Sequence, residues 1–183
     1  MRSHAHYDEL VRVIGGRSRG RRLSARLPTG VRPTGDRVRE AVFDILGSTG
    51  GVEGLSVVDL FCGSGAMGLE ALSRGAQTVT FVDRDPEALA AVRANLRAVG
   101  LADAHVTLVR AQLPEWLERA PHYDLAFCDP PYAFGDWRGV LSRLRADVAV
   151  LESRDAVVAP PPWKTSKSRR YGGTLITIVG VQP

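Results

Sequence analysis

The chain has 183 residues, enough for one globular domain, and its 44% hydrophobic and 24% charged residues are an ordinary globular balance. Its net charge of +4 is uneven, because residues 1–40 hold ten arginines against four acidic residues and the remainder is slightly acidic. A membrane-spanning chain is excluded, because no run approaches the ~18 apolar residues that a membrane helix needs.

The start of the chain and its cysteines indicate the compartment. Residues 1–7 are polar and contain no apolar signal segment. Cys62 and Cys128, the two cysteines, are too few for a disulfide framework or a zinc site, and their apolar neighbours predict buried thiols. We therefore expect a soluble cytoplasmic protein without a metal site.

The first predicted unit is a basic N-terminal extension, residues 1–33, which we expect to form a short strand or hairpin laid on the main domain, residues 34–183. A short basic segment on a near-neutral body suits a polyanionic partner. Its arginines are guanidinium groups suited to phosphates.

Helical and strand patterns alternate through the main domain. The predicted helices are 35–46, 66–74, 86–98 and 137–144, with a short helix from Pro114; the predicted strands are 55–61, 78–82, 106–109, 123–128, 148–151 and 174–181. This alternation predicts an α/β fold with a mostly parallel twisted sheet and helices on both faces. Residues 160–170 begin with three prolines and are predicted to be a loop leading into an edge strand, and Gly172-Gly173 predicts a C-terminal antiparallel hairpin.

A glycine-rich loop, Gly63-x-Gly65-x-x-Gly68, follows the first buried strand. Its glycines permit a tight turn and close approach of a ligand to the backbone. Asp83 ends the next strand, where a carboxylate can accept hydrogen bonds from both ribose hydroxyls of an adenosine. These features allow either NAD or S-adenosylmethionine (SAM). Asp59 favours SAM, because its carboxylate attracts an ammonium and a sulfonium and repels a pyrophosphate.

The turn Asp129-Pro130-Pro131-Tyr132 follows the strand predicted over 123–128. Its two prolines stiffen the backbone and remove two N–H donors, so the turn exposes mainly acceptors. The side chain of Asp129 and the carbonyl of Pro130 can each accept one N–H bond from a planar amine, and Tyr132 can stack on a base. We expect this turn to orient a nucleobase amine, which is a poor nucleophile, for in-line methyl transfer.

These two motifs resemble those of SAM-dependent amino-group methyltransferases, whose members act on adenine N6, guanine N2 or glutamine N5. Other blocks narrow the resemblance: residues 14–16 are Ile-Gly-Gly, residues 19–23 are Arg-Gly-Arg-Arg-Leu, and residues 32–40 are Arg-Pro-Thr-Gly-Asp-Arg-Val-Arg-Glu. With Arg170-Tyr171-Gly172 near the end, nearly the whole chain resembles the bacterial small-subunit rRNA guanine-N2 methyltransferases of the RsmD type.

The resemblance implies a Rossmann-like SAM-dependent methyltransferase fold and methylation of a guanine in the helix 31 loop of 16S rRNA. A loop base fits, because it can be splayed out without melting a duplex. The implied partner is 16S rRNA, within the small ribosomal subunit or an assembly intermediate, with no membrane and no obligate protein partner. The expected catalytic residues are Asp129, Pro130, Pro131 and Tyr132. The expected SAM-binding residues are Asp59, Phe61, Gly63, Ser64, Gly65, Gly68, Asp83, Arg84, Gln112, Leu113 and Thr34. The expected RNA-binding residues are Arg17, Arg19, Arg21, Arg32, Arg37 and Arg39.

Three other functions stay open. An adenine-N6 DNA methyltransferase usually needs an extra target-recognition domain, for which 183 residues leave little room. A non-catalytic RNA-binding assembly factor has no need of an intact Asp-Pro-Pro-Tyr turn, and an NAD oxidoreductase binds nicotinamide instead of SAM. The residues alone do not separate guanine N2 from adenine N6, because both are exocyclic amines.

Overall fold

The computed structural model describes residues 11–24, 35–131 and 133–181. The helices are α1 (Asp36–Gly47), α2 (Ala66–Ser73), α3 (Pro86–Ala98) and α4 (Trp137–Leu141), with 3-10 turns at Gly16–Ser18 and Glu115–Arg119. The strands are β1 (Ser56–Leu60), β2 (Thr78–Asp83), β3 (Val106–Arg110), β4 (Tyr123–Cys128), β5 (Ala146–Ser153), β6 (Trp163–Tyr171) and β7 (Thr174–Val181).

The strands of the described residues form one sheet in the order β3-β2-β1-β4-β5-β7-β6. Strands β1 to β5 are parallel, and β7 is antiparallel to both β5 and β6. This confirms the predicted α/β architecture with its C-terminal hairpin. The chain order reverses between β1 and β4, and open parallel sheets bind ligands at the carboxyl edge next to such a reversal.

Two apolar layers cover the sheet. On one face α1, α2 and α3 pack with Val13 and Leu23 of the N-terminal segment. On the other face the 3-10 turn Glu115–Arg119 and α4 pack around Trp116 and Leu141. No helix within the described ranges is long and apolar enough to cross a membrane.

Residues 11–24, the described part of the N-terminal extension, double back on themselves. Arg12 and Arg22 form an antiparallel bridge, and the N–H of Val13 donates to the Arg21 carbonyl at 2.9 Å. Val13 and Leu23 are buried against the main body. We call residues 11–24 the basic hairpin.

Two element predictions were wrong. Helix α4 ends at Leu141 instead of residue 144, because a turn at Ser142 precedes β5. The predicted loop over 160–170 is a strand from Trp163 onward: the prolines stop short of it, and the Trp163 indole is buried, donating to the Leu141 carbonyl at 2.7 Å. Thr34, an expected SAM-binding residue, lies outside the described residues; α1 begins directly after Gly35.

Candidate active site

The candidate site lies at the carboxyl edge of four neighbouring parallel strands, in the order β2-β1-β4-β5. Leu60 of β1 pairs with Val82 of β2 and with Cys128 of β4, and Cys128 pairs in turn with Leu151 of β5. Adjacent strands lie about 4.8 Å apart. The segments that leave these strand ends are therefore direct neighbours in space, although they are far apart in the chain.

The glycine turn between β1 and α2 is wound tightly. Phe61, the residue after β1, has a positive φ of 57°, the one non-glycine residue of the described chain that does. Gly63 and Gly65 also have positive φ, at 52° and 78°. The Gly65 N–H donates to the Cys62 carbonyl at 2.7 Å. Left-handed backbone at a bulky residue is costly and is retained mainly at functional turns.

Asp59 and Gly68 hold the turn from below. The buried carboxylate of Asp59 accepts the Gly68 N–H at 2.9 Å. Gly68 itself lies inside α2, where an added Cβ would meet the Phe81 ring and come within 2.9 Å of Val79. The third glycine of the motif thus serves the close packing of α2 on β2, and its link to the site runs through Asp59.

Asp83, the last residue of β2, faces the same turn. One carboxylate oxygen accepts the Gly63 N–H at 3.0 Å, and the other accepts the Asp85 N–H at 3.0 Å. Each oxygen keeps a further lone pair. The side chain is held in place and can still accept hydrogen bonds from a ligand.

The carboxyl groups of Asp83 and Asp129 lie close enough to Asp59 to act on it electrostatically. Burial, and then the charges of Asp129 and Asp83, raise the pKa of Asp59 to about 8, although the Gly68 N–H opposes the shift. Such clustering is unfavourable for free carboxylates and favourable for a cation among them. These three carboxyl groups therefore fit a cofactor that carries an ammonium and a sulfonium, and they do not fit a pyrophosphate.

The acceptor-rich turn begins where β4 ends. Asp129 is half-buried, Pro130 is buried and Pro131 is exposed. The Pro131 carbonyl accepts the Phe134 N–H at 2.7 Å, which closes the turn. Tyr132 lies outside the described residues, so its stacking role stays a prediction.

Aromatic rings link this turn to the glycine turn. Phe61 and Phe134 have ring centroids 5.1 Å apart, and Phe134 and Trp137 follow at 5.7 Å. Edge-to-face contacts of this kind fix the relative positions of the rings. Phe61 thus buttresses the acceptor turn as well as ending β1.

The remaining predicted cofactor residues surround the same edge with different exposure. Ser64 is buried, and its carbonyl accepts an amide N–H from Asn95 at 3.0 Å. Arg84 and Gln112 are exposed, at the ends of β2 and β3. Leu113 is buried in the apolar layer on the α4 face.

The predicted RNA-binding arginines do not share one environment. Arg17, Arg19, Arg21 and Arg37 are exposed. Arg39 is 1% exposed; its guanidinium donates to the Arg12 carbonyl at 2.5 Å and to Asp36 at 2.8 Å. Its prediction as a surface phosphate contact disagrees with the structure, because Arg39 joins α1 to the basic hairpin. Arg32 lies outside the described residues.

Two buried polar residues that hold the basic hairpin were missed from the sequence. Glu70, 1% exposed, accepts the N–H groups of Ile14 and Gly15, each at 2.7 Å. Asn95 accepts the Ser24 N–H at 2.9 Å and donates to the glycine turn. Their positions in the helices were the available signal, because each is a polar residue among the apolar residues of a buried helix face.

Both cysteines are buried and free, as predicted. Burial, chiefly, and the nearby carboxylates raise the pKa of each thiol far above its usual value. A protonated buried thiol is neither a nucleophile nor a metal ligand. Cys62 and Cys128 therefore act as small packing groups beside the site.

Residues 11–180 match the family described as Conserved hypothetical protein 95. The chain is 32% identical over 174 residues to ribosomal RNA small subunit methyltransferase D of Haemophilus influenzae, covering 88% of this chain and 89% of that protein. It is 38% identical over 125 residues to the protein of the same name from Escherichia coli K12, covering 68% and 62%.

Solved structures agree in fold. The structure of yhhF from Escherichia coli superposes with a TM-score of 0.82 at 29% identity, covering 94% of this chain and 98% of that one. The seven-stranded sheet, its reversal and its C-terminal hairpin are thus those of a Rossmann-like SAM-dependent methyltransferase.

Proposed function

This chain belongs to the RsmD family of methyltransferases, and from that premise we propose that it transfers a methyl group from SAM to the exocyclic N2 amine of a guanine in 16S rRNA. The observation that carries the proposal is the adjacency of the two turns: Leu60 pairs with Cys128, so the glycine turn and the turn starting at Asp129 leave the sheet side by side.

The glycine turn and its carboxylates support SAM as the cofactor. Asp59 and its acidic neighbours favour the cationic methionine end. Asp83 has acceptor capacity for the ribose hydroxyls. Gln112 and Leu113, which follow β3, would flank the adenine of SAM. Ser64, Gly65 and Arg84 would line the rest of the cofactor site. When bound, SAM supplies a methyl group already activated on a sulfonium.

The acceptor turn orients the amine. The carboxylate of Asp129 and the carbonyl of Pro130 each accept one N–H, which turns the nitrogen lone pair toward the cofactor. Pro131 stiffens the turn, and Tyr132 stacks on the base. In-line positioning of this kind can supply roughly 7–11 kcal/mol of the barrier reduction. The amine nitrogen must lose one proton as it gains the methyl group, and the Asp129 carboxylate, its hydrogen-bond acceptor, is positioned to take it.

The basic hairpin supports RNA as the substrate. Arg17, Arg19 and Arg21 are exposed on it and Arg37 is exposed on α1, where their guanidinium groups can pair with phosphates. The target would be the helix 31 loop of 16S rRNA, whose bases are open to a pocket without duplex melting. A ribosomal substrate of this kind places the protein in the cytoplasm.

The direct test is methyl transfer from labelled SAM to small ribosomal subunits that lack the modification, followed by mapping of the labelled nucleotide. We expect one labelled guanine in the helix 31 loop, carrying its methyl group on N2. Label on an adenine or on duplex DNA would contradict the proposal, and so would stable RNA binding without any methyl transfer.

The role of Asp129 is tested by Asp129→Ala. We expect kcat to fall by about 100-fold or more, because the amine loses its orienting acceptor. SAM affinity, measured by calorimetry, should change little in comparison. Asp147→Ala is the matched control, because Asp147 is an exposed aspartate at the amino end of β5, on the edge of the sheet away from the site. Unchanged kcat in Asp129→Ala would refute the mechanism.

A further inference from the structure

A pocket of about 190 Å³ opens beside the acceptor turn, between that turn and the segment at the carboxyl end of β5. It is lined by Pro130, Pro131, Phe134, Trp137, Glu152 and Asp155, among others. One water molecule needs only ~10–15 Å³ on this measure. The pocket is therefore large enough for an organic group, and it shares its wall with the proposed catalytic turn.

The register of β4 and β5 brings one acidic residue level with Asp129. Cys128 of β4 pairs with Leu151 of β5, so Asp129 and Glu152 each follow that pair by one residue. Glu152 is half-buried at the carboxyl end of β5 and lines the pocket. A carboxylate has about four acceptor positions on its two oxygens, so a carboxylate that already has a partner can also accept a hydrogen bond from a ligand.

Two side-chain hydrogen bonds to backbone carbonyls hold the pocket wall near Glu152. The Ser153 hydroxyl donates to the Asp155 carbonyl at 2.8 Å, and the Arg170 guanidinium donates to the Arg154 carbonyl at 3.0 Å. Phe134 and Trp137 contribute aromatic rings to the lining of the pocket, and a flipped base is typically held between aromatic or apolar side chains. The pocket thus combines a stacking surface with an acceptor at its edge.

The chemistry beside the reacting amine distinguishes guanine from adenine. In guanine the N2 amine adjoins N1–H, so the two neighbouring groups are both donors. In adenine the N6 amine adjoins N1, a bare acceptor. A carboxylate beside the amine site accepts a hydrogen bond from the first pair and repels the lone pair of the second.

We propose that this pocket binds the target base and that the carboxylate of Glu152 accepts the N1–H of guanine while Asp129 and Pro130 hold its N2 amine. The inference rests on the proposed function and deepens it, because it assigns the choice of guanine over adenine to one side chain. Glu152 is then a specificity-determining residue that touches the substrate base.

The test uses small subunits reconstituted with either guanine or 2-aminopurine at the target position. 2-Aminopurine keeps the amine at C2 but has a bare N1 in place of N1–H. Wild-type protein should methylate the guanine substrate with about 10- to 100-fold higher kcat/KM. Glu152→Gln can accept the N1–H of guanine through its amide oxygen or donate to the bare N1 through its amide N–H, so this variant should reduce the preference at least about tenfold.

2-Aminopurine also lacks the O6 of guanine. Because this difference is the same for wild-type protein and for Glu152→Gln, it cancels when their preferences for guanine are compared. Asp147→Asn, the same charge change at the other end of β5, should keep the wild-type preference. Asp155→Asn tests the second carboxylate of the pocket. An unchanged preference in Glu152→Gln, or a changed preference only in Asp155→Asn, would overturn the assignment to Glu152.

Failure of the proposed function is distinguishable from failure of this inference. If wild-type protein does not methylate the guanine subunits, the proposed function fails. Equilibrium binding of the two substrates to wild-type protein and to Glu152→Gln then decides the inference by itself. A preference for guanine that the variant loses supports base reading by Glu152, and equal binding in all four combinations refutes it.

Discussion

At the scale of single residues, Asp59 couples cofactor binding to protonation. In the free protein its pKa is raised to about 8, mainly by burial and then by the charges of Asp129 and Asp83. The carboxyl group is therefore largely protonated at neutral pH. A bound cation favours the carboxylate, so binding must release a proton.

SAM affinity should consequently rise with pH between about 6 and 8 and level off above pH 8, by up to about tenfold per pH unit. Calorimetry in buffers of different ionisation enthalpy measures the released proton. Asp59→Asn keeps an acceptor for the Gly68 N–H and cannot titrate, so it should show a flatter profile. The amine of SAM titrates equally with both proteins, and identical profiles would contradict this role of Asp59.

The same shift affects folding in the opposite direction from an ordinary aspartate. In the unfolded chain the pKa of Asp59 has its ordinary value of 3.8, whereas in the folded protein it is about 8. Its contribution to the free energy of unfolding is therefore fully present below pH 4 and is lost as the pH rises toward 8. Bound SAM should reverse part of that loss.

At the scale of elements, the site depends on the close approach of α2 to β2. Gly68 allows it, because a Cβ there would meet the Phe81 ring and lie 2.9 Å from Val79. The approach brings the Gly68 N–H to Asp59. The absence of a side chain at Gly68 thus determines both the packing of α2 on β2 and the position of the Asp59 carboxylate.

Gly68→Ala should lower the free energy of unfolding by about 1–3 kcal/mol through overpacking. It should also weaken SAM binding, because Asp59 loses its fixed donor. Gly47→Ala in α1 is the matched control, since nothing lies within 4 Å of the added Cβ. Denaturant unfolding and calorimetry measure both effects, and equal stability of the two variants would argue against the packing role.

The elements that followed clear local rules were predictable. Strand β4 has the predicted bounds, and α3 begins at Pro86 with Asp85 capping it, as N-terminal proline and aspartate favour. Strand β6 was missed, because an edge strand with polar side chains on both faces lacks the alternation that marks a half-buried strand.

Contacts across long stretches of chain were beyond local rules. Glu70 binds backbone 55 and 56 residues earlier, and Asn95 binds Ser24 across 71 residues. The two site motifs were found because each has a characteristic local pattern. Glu152 has none: it joins the acceptor turn only through the pairing of β4 with β5.

At the scale of the whole molecule, buried polar contacts hold the basic hairpin on the body. Glu70 binds two of its N–H groups and also the Arg74 guanidinium at 2.7 Å. Ser73 and Asn95 add contacts to Ser18 and Ser24. The RNA-facing arginines are thus presented by a segment whose position depends on α2 and α3.

Glu70→Ala should release the hairpin, because in the docked position its partly buried N–H groups would stay without an acceptor, at a cost of about 1–3 kcal/mol each. Limited proteolysis should then cleave within residues 11–24. The slope of RNA affinity against salt should fall by about 0.7 for each phosphate that the arginines no longer neutralise. Glu87→Ala, an exposed acid at the start of α3, is the control. A protected hairpin and an unchanged slope in Glu70→Ala would contradict this account.

Strand β6 ends the sheet, and among the described strands one row of its backbone groups faces no partner. It carries Lys164, Lys167, Arg169 and Arg170 and no acidic residue, and most of it is exposed. Two copies that met edge to edge would bring these cations together, which opposes intermolecular sheet growth. The range of this repulsion is the Debye length, which falls from ~8 Å at physiological salt to ~3 Å at 1 M salt. Concentrated salt therefore removes a safeguard against aggregation that the chain carries on its outermost strand.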